Sequence, residues 1–124
     1  MHVSEPLNWT AGWSLILAAF AAGAVTGLFF HREDFLGGYA SFRRRLLRLG
    51  HVALAALGMI NILFAIAPPA GPHRAASLLL LAGGLTMGPV CYLTAWRTSF
   101  RHLFFIPVAA LIAAVVLVLA GGAP

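Results

Sequence analysis

The segment GHVALAALGMINILFAIAPPAGPHRAASLLLLAGG (Gly50–Gly84) places two long apolar runs on either side of a short break. The first run, about 50–67, stops at Pro68-Pro69, and the second, about 75–96, ends at Trp96. A helix of about 20 residues rises about 30 Å, the thickness of the hydrocarbon layer of a bilayer. Proline removes a backbone N–H and clashes with the preceding turn, so the first run cannot continue through the break. The connection PPAGPHR is too short to do more than reverse direction. The two runs therefore read as an antiparallel hairpin of membrane-crossing helices.

The same spacing recurs outward from the hairpin. A run at about 11–30 follows Trp9 and Trp13, and another at about 102–119 ends in AGGAP, where glycines and a final proline release a helix. Of the 124 residues, 61% are hydrophobic and 9% charged, and the mean hydropathy is +0.94. A soluble domain carries roughly 25% charged residues. The expected fold is an all-α membrane protein, a single domain over residues 1–124 built as a bundle of four transmembrane helices. Ala22-Gly23-Ala24 has the look of a leader cleavage site, but Glu5 and the absence of Lys or Arg before it argue for a span.

All eight basic residues are arginine, and they sit at the borders of the apolar runs. Despite a pI of about 11.2, this is not the clustered basic face of a nucleic-acid binder. Arg32, Arg43, Arg44, Arg45 and Arg48 fall in the first connection, Arg97 and Arg101 in the third, and only Arg74 in the second. Positive residues in short loops stay on the cytoplasmic side, so connections one and three are expected inside and both termini outside. The bias toward Ala, Gly, Arg and Leu suits a GC-rich genome, and the expected location is a bacterial cytoplasmic membrane.

The first connection carries its own pattern. Phe35, Tyr39, Phe42, Leu46 and Leu49 recur at helical spacing, which predicts a basic amphipathic helix over about 35–49 lying in the membrane interface. Its Arg43, Arg44, Arg45 and Arg48 would meet anionic headgroups, each worth about 1 kcal/mol near such a surface. Small residues are expected to set the helix packing: Gly23 and Gly27, Gly84 and Gly88 form two GxxxG pairs, and Gly58 lies between them in sequence.

Polar groups inside the spans are few, and each asks for a partner. Asn61 falls near the middle of the second span, where an unpaired amide costs several kcal/mol, and Thr86 lies at the corresponding depth of the third. An Asn61–Thr86 contact is expected. His31, His51 and His102 end or begin spans at one membrane face, where imidazoles could ligate a metal or haem b. Ala55 and Gly58 share a face with His51 and would line such a slot. The competing reading is interfacial histidines repelling cations through neighbouring arginines, so no cofactor is the primary expectation. His2 and His73 carry no pattern.

Glu5, Glu33 and Asp34 are the only carboxylates, none within a span, so no intramembrane acid is available for proton-coupled export. The single Cys91 excludes chemistry that needs cysteine pairs. Gly88-Pro89 and Pro107 interrupt the last two spans, the latter as a kink or as a first-turn residue. No nucleotide loop, nucleophile elbow or zinc-protease helix is present. These features predict a non-enzymatic integral membrane protein acting through lipid or protein contacts, an accessory or scaffold component of a larger membrane complex. The alternatives are a redox protein using His31, His51 and His102, and a small-solute transporter or channel using Asn61 and Thr86.

Overall fold

The computed structural model describes residues 3–123, so His2 lies outside it. Among these residues are four α-helices and no strand: α1 (Pro6–Phe30), α2 (Phe42–Ile66), α3 (Arg74–Trp96) and α4 (Phe105–Gly121). Short 3-10 segments occupy Phe35–Gly37 and Thr98–Phe104. All four helices are long and apolar enough to cross a membrane, the fourth counted together with the 3-10 segment before it.

Successive helices are antiparallel. Gly12 and Gly23 of α1 meet Ile62 and His51 of α2, Asn61 and Gly50 of α2 meet Gly84 and Cys91 of α3, and Gly83 of α3 meets Leu111 of α4. One end of the molecule thus gathers the Pro-rich connection, the start of α1 and the end of α4, and the other gathers seven arginines. Helices α2 and α3 form the centre. On one side Leu15, Ala19 and Leu54 pack with Ala22, Ala55 and Tyr92; on the other, Phe64, Ala76, Leu80 and Ala114 pack with Leu79, Leu111 and Val118. Helix α4 leans chiefly on α3, and it shares no extended interface with α1.

Two boundaries differ from the sequence-based expectation. Helix α1 begins at Pro6 rather than near residue 11, with Pro in the first turn where its missing N–H is not needed. Thr10 and Ser14 donate back to the carbonyls of Pro6 and Thr10 inside the helix.

The larger difference is the expected interfacial helix over 35–49, which is not a separate element. Leu36, Gly37 and Gly38 all have positive φ (51°, 88° and 95°), so no helix runs through them. Helix α2 then starts at Phe42 behind the Ser41 cap, whose hydroxyl accepts from Arg44 N at 3.2 Å, and passes through Gly50 without a break. Gly50 is a packing residue: a Cβ there would lie 3.0 Å from Cys91 Cβ and 3.1 Å from the Tyr92 ring. At 25 residues, α2 is about 37 Å long, longer than a 30 Å hydrocarbon layer is thick. Pro107 sits in the first turn of α4, and Pro89 lies inside a continuous α3.

Glycines lie at the helix contacts, four of the five singled out from the sequence among them. A Cβ on Gly58 would lie 2.8 Å from Gly12 O, on Gly88 2.6 Å from Leu54 Cδ2, on Gly84 3.0 Å from Asn61 Nδ2, and on Gly23 2.7 Å from His51 Cε1. Gly27 has nothing within 4 Å, so it is not a packing glycine. The closest α1–α2 crossing uses Gly12, outside the GxxxG pairs, with Gly58 O 2.7 Å from where its Cβ would be.

Candidate functional site

The buried polar groups concentrate at the Pro-rich end, where α1, α2 and α3 converge. Asn61 lies five residues from the end of α2, about 7 to 8 Å along the axis. Its Oδ1 accepts from Asn8 Nδ2 of α1 at 2.8 Å, and its own Nδ2 donates to Leu57 O at 2.9 Å and Leu80 O at 3.4 Å. Asn8 and Asn61 are both 0% exposed.

The expected Asn61–Thr86 contact is therefore replaced. Thr86 donates to Ala82 O within α3, and Asn61 takes Asn8 as its partner. A threonine hydroxyl satisfies itself on its own helix, whereas Asn61 places one N–H on Leu57 O of its own helix and still needs a donor for Oδ1 and an acceptor for its other N–H from neighbouring helices.

From Asn8 the network continues outward. The Ser77 hydroxyl donates to Asn8 Oδ1 and lies 3.4 Å from Glu5 Oε2. Glu5 Oε1 is 2.9 Å from His73 Nε2, and His73 Nδ1 is 2.9 Å from Gly71 O. The residues come from three places: Glu5 caps α1, His73 caps α3, and Ser77 sits one turn into α3. Backbone bonds from Ser4 N and Glu5 N to Ala65 O, at 2.9 and 3.3 Å, fasten the same corner to the end of α2.

Both nitrogens of His73 face acceptors, a carbonyl and a carboxylate. The Gly71 carbonyl, and after it Glu5, raise the His73 pKa above its ordinary 6.5. The order of groups is Ser–Glu–His, with no base nitrogen on the serine hydroxyl, and Ser77 is 4% exposed. This is not the serine–histidine–acid order of a nucleophilic triad. Its chemistry is to bind three helix ends together through a buried hydrogen-bond chain that ends in one titratable pair.

At the arginine-rich end the four sequence-selected arginines divide. Arg44 is 3% exposed; its Nη2 donates to Phe30 O at 2.8 Å, and its guanidinium lies 4.8 Å from the Phe30 ring centroid. It closes the C-terminus of α1 and is not available to a headgroup. Arg48 Nη2 donates to Tyr39 O at 2.9 Å with its guanidinium 4.4 Å over the Tyr39 ring. Arg43 and Arg45 are exposed.

The three histidines chosen from sequence are not equivalent. His31 is exposed at the end of α1, and His102 is exposed in the 3-10 segment. His51 lies flat over Gly23, its Nδ1 buried without a hydrogen-bond partner. Among the described residues, no group of three or more His, Cys, Asp and Glu side chains is placed to hold a metal ion. His51 borders a slot of about 190 Å³ between α1 and α2, lined by Gly23, Thr26, Gly27, Phe30, Leu47 and Arg48.

Sequence reasoning missed Glu5, Asn8, His73 and Ser77. The available signal was depth: once the hairpin is drawn antiparallel, Asn61 and Ser77 both fall within two turns of the Pro-rich end. Compared with known protein families, curated proteins and solved structures, the chain matches none, so its function has to be argued from its own residues.

Proposed function

We propose that the chain is a multi-pass membrane protein that acts through contacts, as an accessory or scaffold component of a larger assembly in a bacterial cytoplasmic membrane. The observation that carries this reading is an inside-out distribution of polarity. Leu17, Phe20 and Leu28 on α1, Leu63 on α2 and Leu119 on α4 are all more than 60% exposed, while Asn8, Asn61 and Ser77 are sealed inside. Water disfavours such a surface, and lipid or a partner helix accepts it.

The arginine-rich end, including the projecting start of α2, is cytoplasmic in this proposal, with anionic headgroups meeting Arg43, Arg45 and Arg48. Affinity purification from native membranes tests the scaffold role. A stable companion supports it, and a monomer without companions, in mild detergents, overturns it.

A haem b or metal site is the second reading, favoured by the buried, unpartnered Nδ1 of His51. It requires a Soret band or stoichiometric metal in protein purified in detergent. Transport past Asn61 requires solute flux in proteoliposomes that falls in Asn61→Leu.

A further inference from the structure

The slot between α1 and α2 is distinct from the polar network, since it lies at the opposite end of both helices. We propose that it seats the phosphate headgroup of a single anionic phospholipid, gripped by Arg48 and His51, with the upper acyl chain lying along the Gly23–Gly27 face. The inference rests on the membrane reading above and adds a discrete site to it.

Size is the first argument. At about 190 Å³ the slot falls below the roughly 300–1,000 Å³ of pockets that enclose a whole ligand. It accommodates a phosphate with its glycerol carbons and leaves the rest of the molecule outside. The exit is open, because nothing lies within 4 Å of where a Gly27 Cβ would project.

Charge is the second. The lining contains no carboxylate, and its two ionisable members, Arg48 and His51, are both potential donors to an anion. Arg48 spends Nη2 on Tyr39 O, and a guanidinium carries five N–H groups in a fork suited to phosphate. His51 Nδ1 is sealed against Gly23, which leaves Nε2 as the ring nitrogen that can donate to a ligand in the slot. The Thr26 hydroxyl does not compete, since it donates to Ala22 O at 2.7 Å and contacts Gly23 O at 3.3 Å.

Depth is the third. Arg48 lies 18 residues before the end of α2 at Ile66, or about 27 Å along the axis, which puts it at the edge of a 30 Å hydrocarbon layer. His51 is about one turn further in. A phosphate held between them sits at the boundary where lipid phosphates already are, and a chain descending from it meets the small-residue face of α1.

The test is native mass spectrometry of the full-length chain released from detergent containing dioleoyl phosphatidylglycerol or dioleoyl phosphatidylcholine, with inorganic phosphate as a third arm. One retained phosphatidylglycerol is expected, with phosphatidylcholine, whose choline cation offsets its phosphate charge and is repelled by Arg48, bound at least about tenfold more weakly. Arg48→Gln and Gly27→Leu, which fills the open exit without touching the backbone, should each weaken retention by a similar factor, with circular dichroism melts confirming that they fold. Arg43→Gln/Arg45→Gln, outside the slot, should change it less than threefold, about 0.6 kcal/mol. Wild-type retention in Gly27→Leu and Arg48→Gln overturns the proposal. So does equal loss in Arg43→Gln/Arg45→Gln, which marks diffuse attraction, or full displacement by millimolar inorganic phosphate, which marks a soluble-anion site. Failure of the membrane reading itself would show separately, as a protein that stays dispersed without detergent.

Discussion

Replacing Asn8 with leucine removes the one side chain that serves both Asn61 and Ser77. In the folded protein Asn61 Oδ1 then loses its 2.8 Å donor and the Ser77 hydroxyl loses its acceptor. Each buried polar group left unpaired costs about 1–3 kcal/mol in water-based scales, and interhelical bonds in membranes run lower, about 0.6 on average and up to about 1.7. Asn8→Leu should therefore destabilise by about 1–3 kcal/mol. Asn61→Leu should do the same, because it leaves Asn8 Nδ2 with only Ser77 O at 3.4 Å.

The double substitution removes both partners at once and should cost less than the sum, with a coupling of about 0.5–2 kcal/mol. The assay is reversible unfolding in mixed micelles, with α-helical circular dichroism as the signal. Thr86→Val supplies the control, since its hydroxyl bonds only to Ala82 O. Its coupling with Asn61→Leu should lie within about 0.3 kcal/mol of zero. Additivity of Asn8 and Asn61, or strong coupling of Asn61 with Thr86, would refute the reasoning.

Gly12→Ala should destabilise by about 1–3 kcal/mol, because its new methyl would sit 2.7 Å from Gly58 O, while Gly27→Ala, pointing into open space, should be near neutral; both are read from denaturation midpoints. Arg44→Gln should cost about 1–3 kcal/mol by uncapping Phe30 O, and Arg43→Gln less than about 0.5, measured the same way. His73 has a folded pKa raised above 6.5 by the Gly71 carbonyl and Glu5, so its stabilising contribution is full below 6.5 and lost as pH rises through the folded value. The melting temperature should accordingly fall as pH rises above 6.5, and His73→Gln should flatten that slope; an unchanged slope in His73→Gln would exclude the Glu5–His73 pair as its source.

The four apolar helices were legible because lipid-facing residues leave a length signal that needs no tertiary information. The reversal at Pro68-Pro69 was legible for the same local reason. Gly50 was not, since a glycine that ends a helix and one that admits a neighbouring tyrosine ring look alike until Tyr92 is seen against it. With the second run drawn from about residue 50, the first two turns of α2 and their arginines fall to the expected interfacial helix. The need for a partner at Asn61 followed from burial alone, but its identity did not. Asn8 lies 53 residues away, before the apolar run at about 11–30. Arg44 shows the limit of counting charges: of four clustered arginines, one is internal, and only the position of the Phe30 carbonyl distinguishes it.

In the proposed topology four helices cross a bilayer with the arginine-rich end inside. Single cysteines introduced as Ala70→Cys in the Pro-rich connection and Ser99→Cys beside Arg97 and Arg101 test it on intact cells with a membrane-impermeant maleimide. Native Cys91 is buried and serves as an unreactive internal thiol. The account predicts labelling of Ala70→Cys alone, with Ser99→Cys reacting only after the membrane is opened. Equal labelling of both sites in sealed cells, or of Ser99→Cys alone, would contradict it.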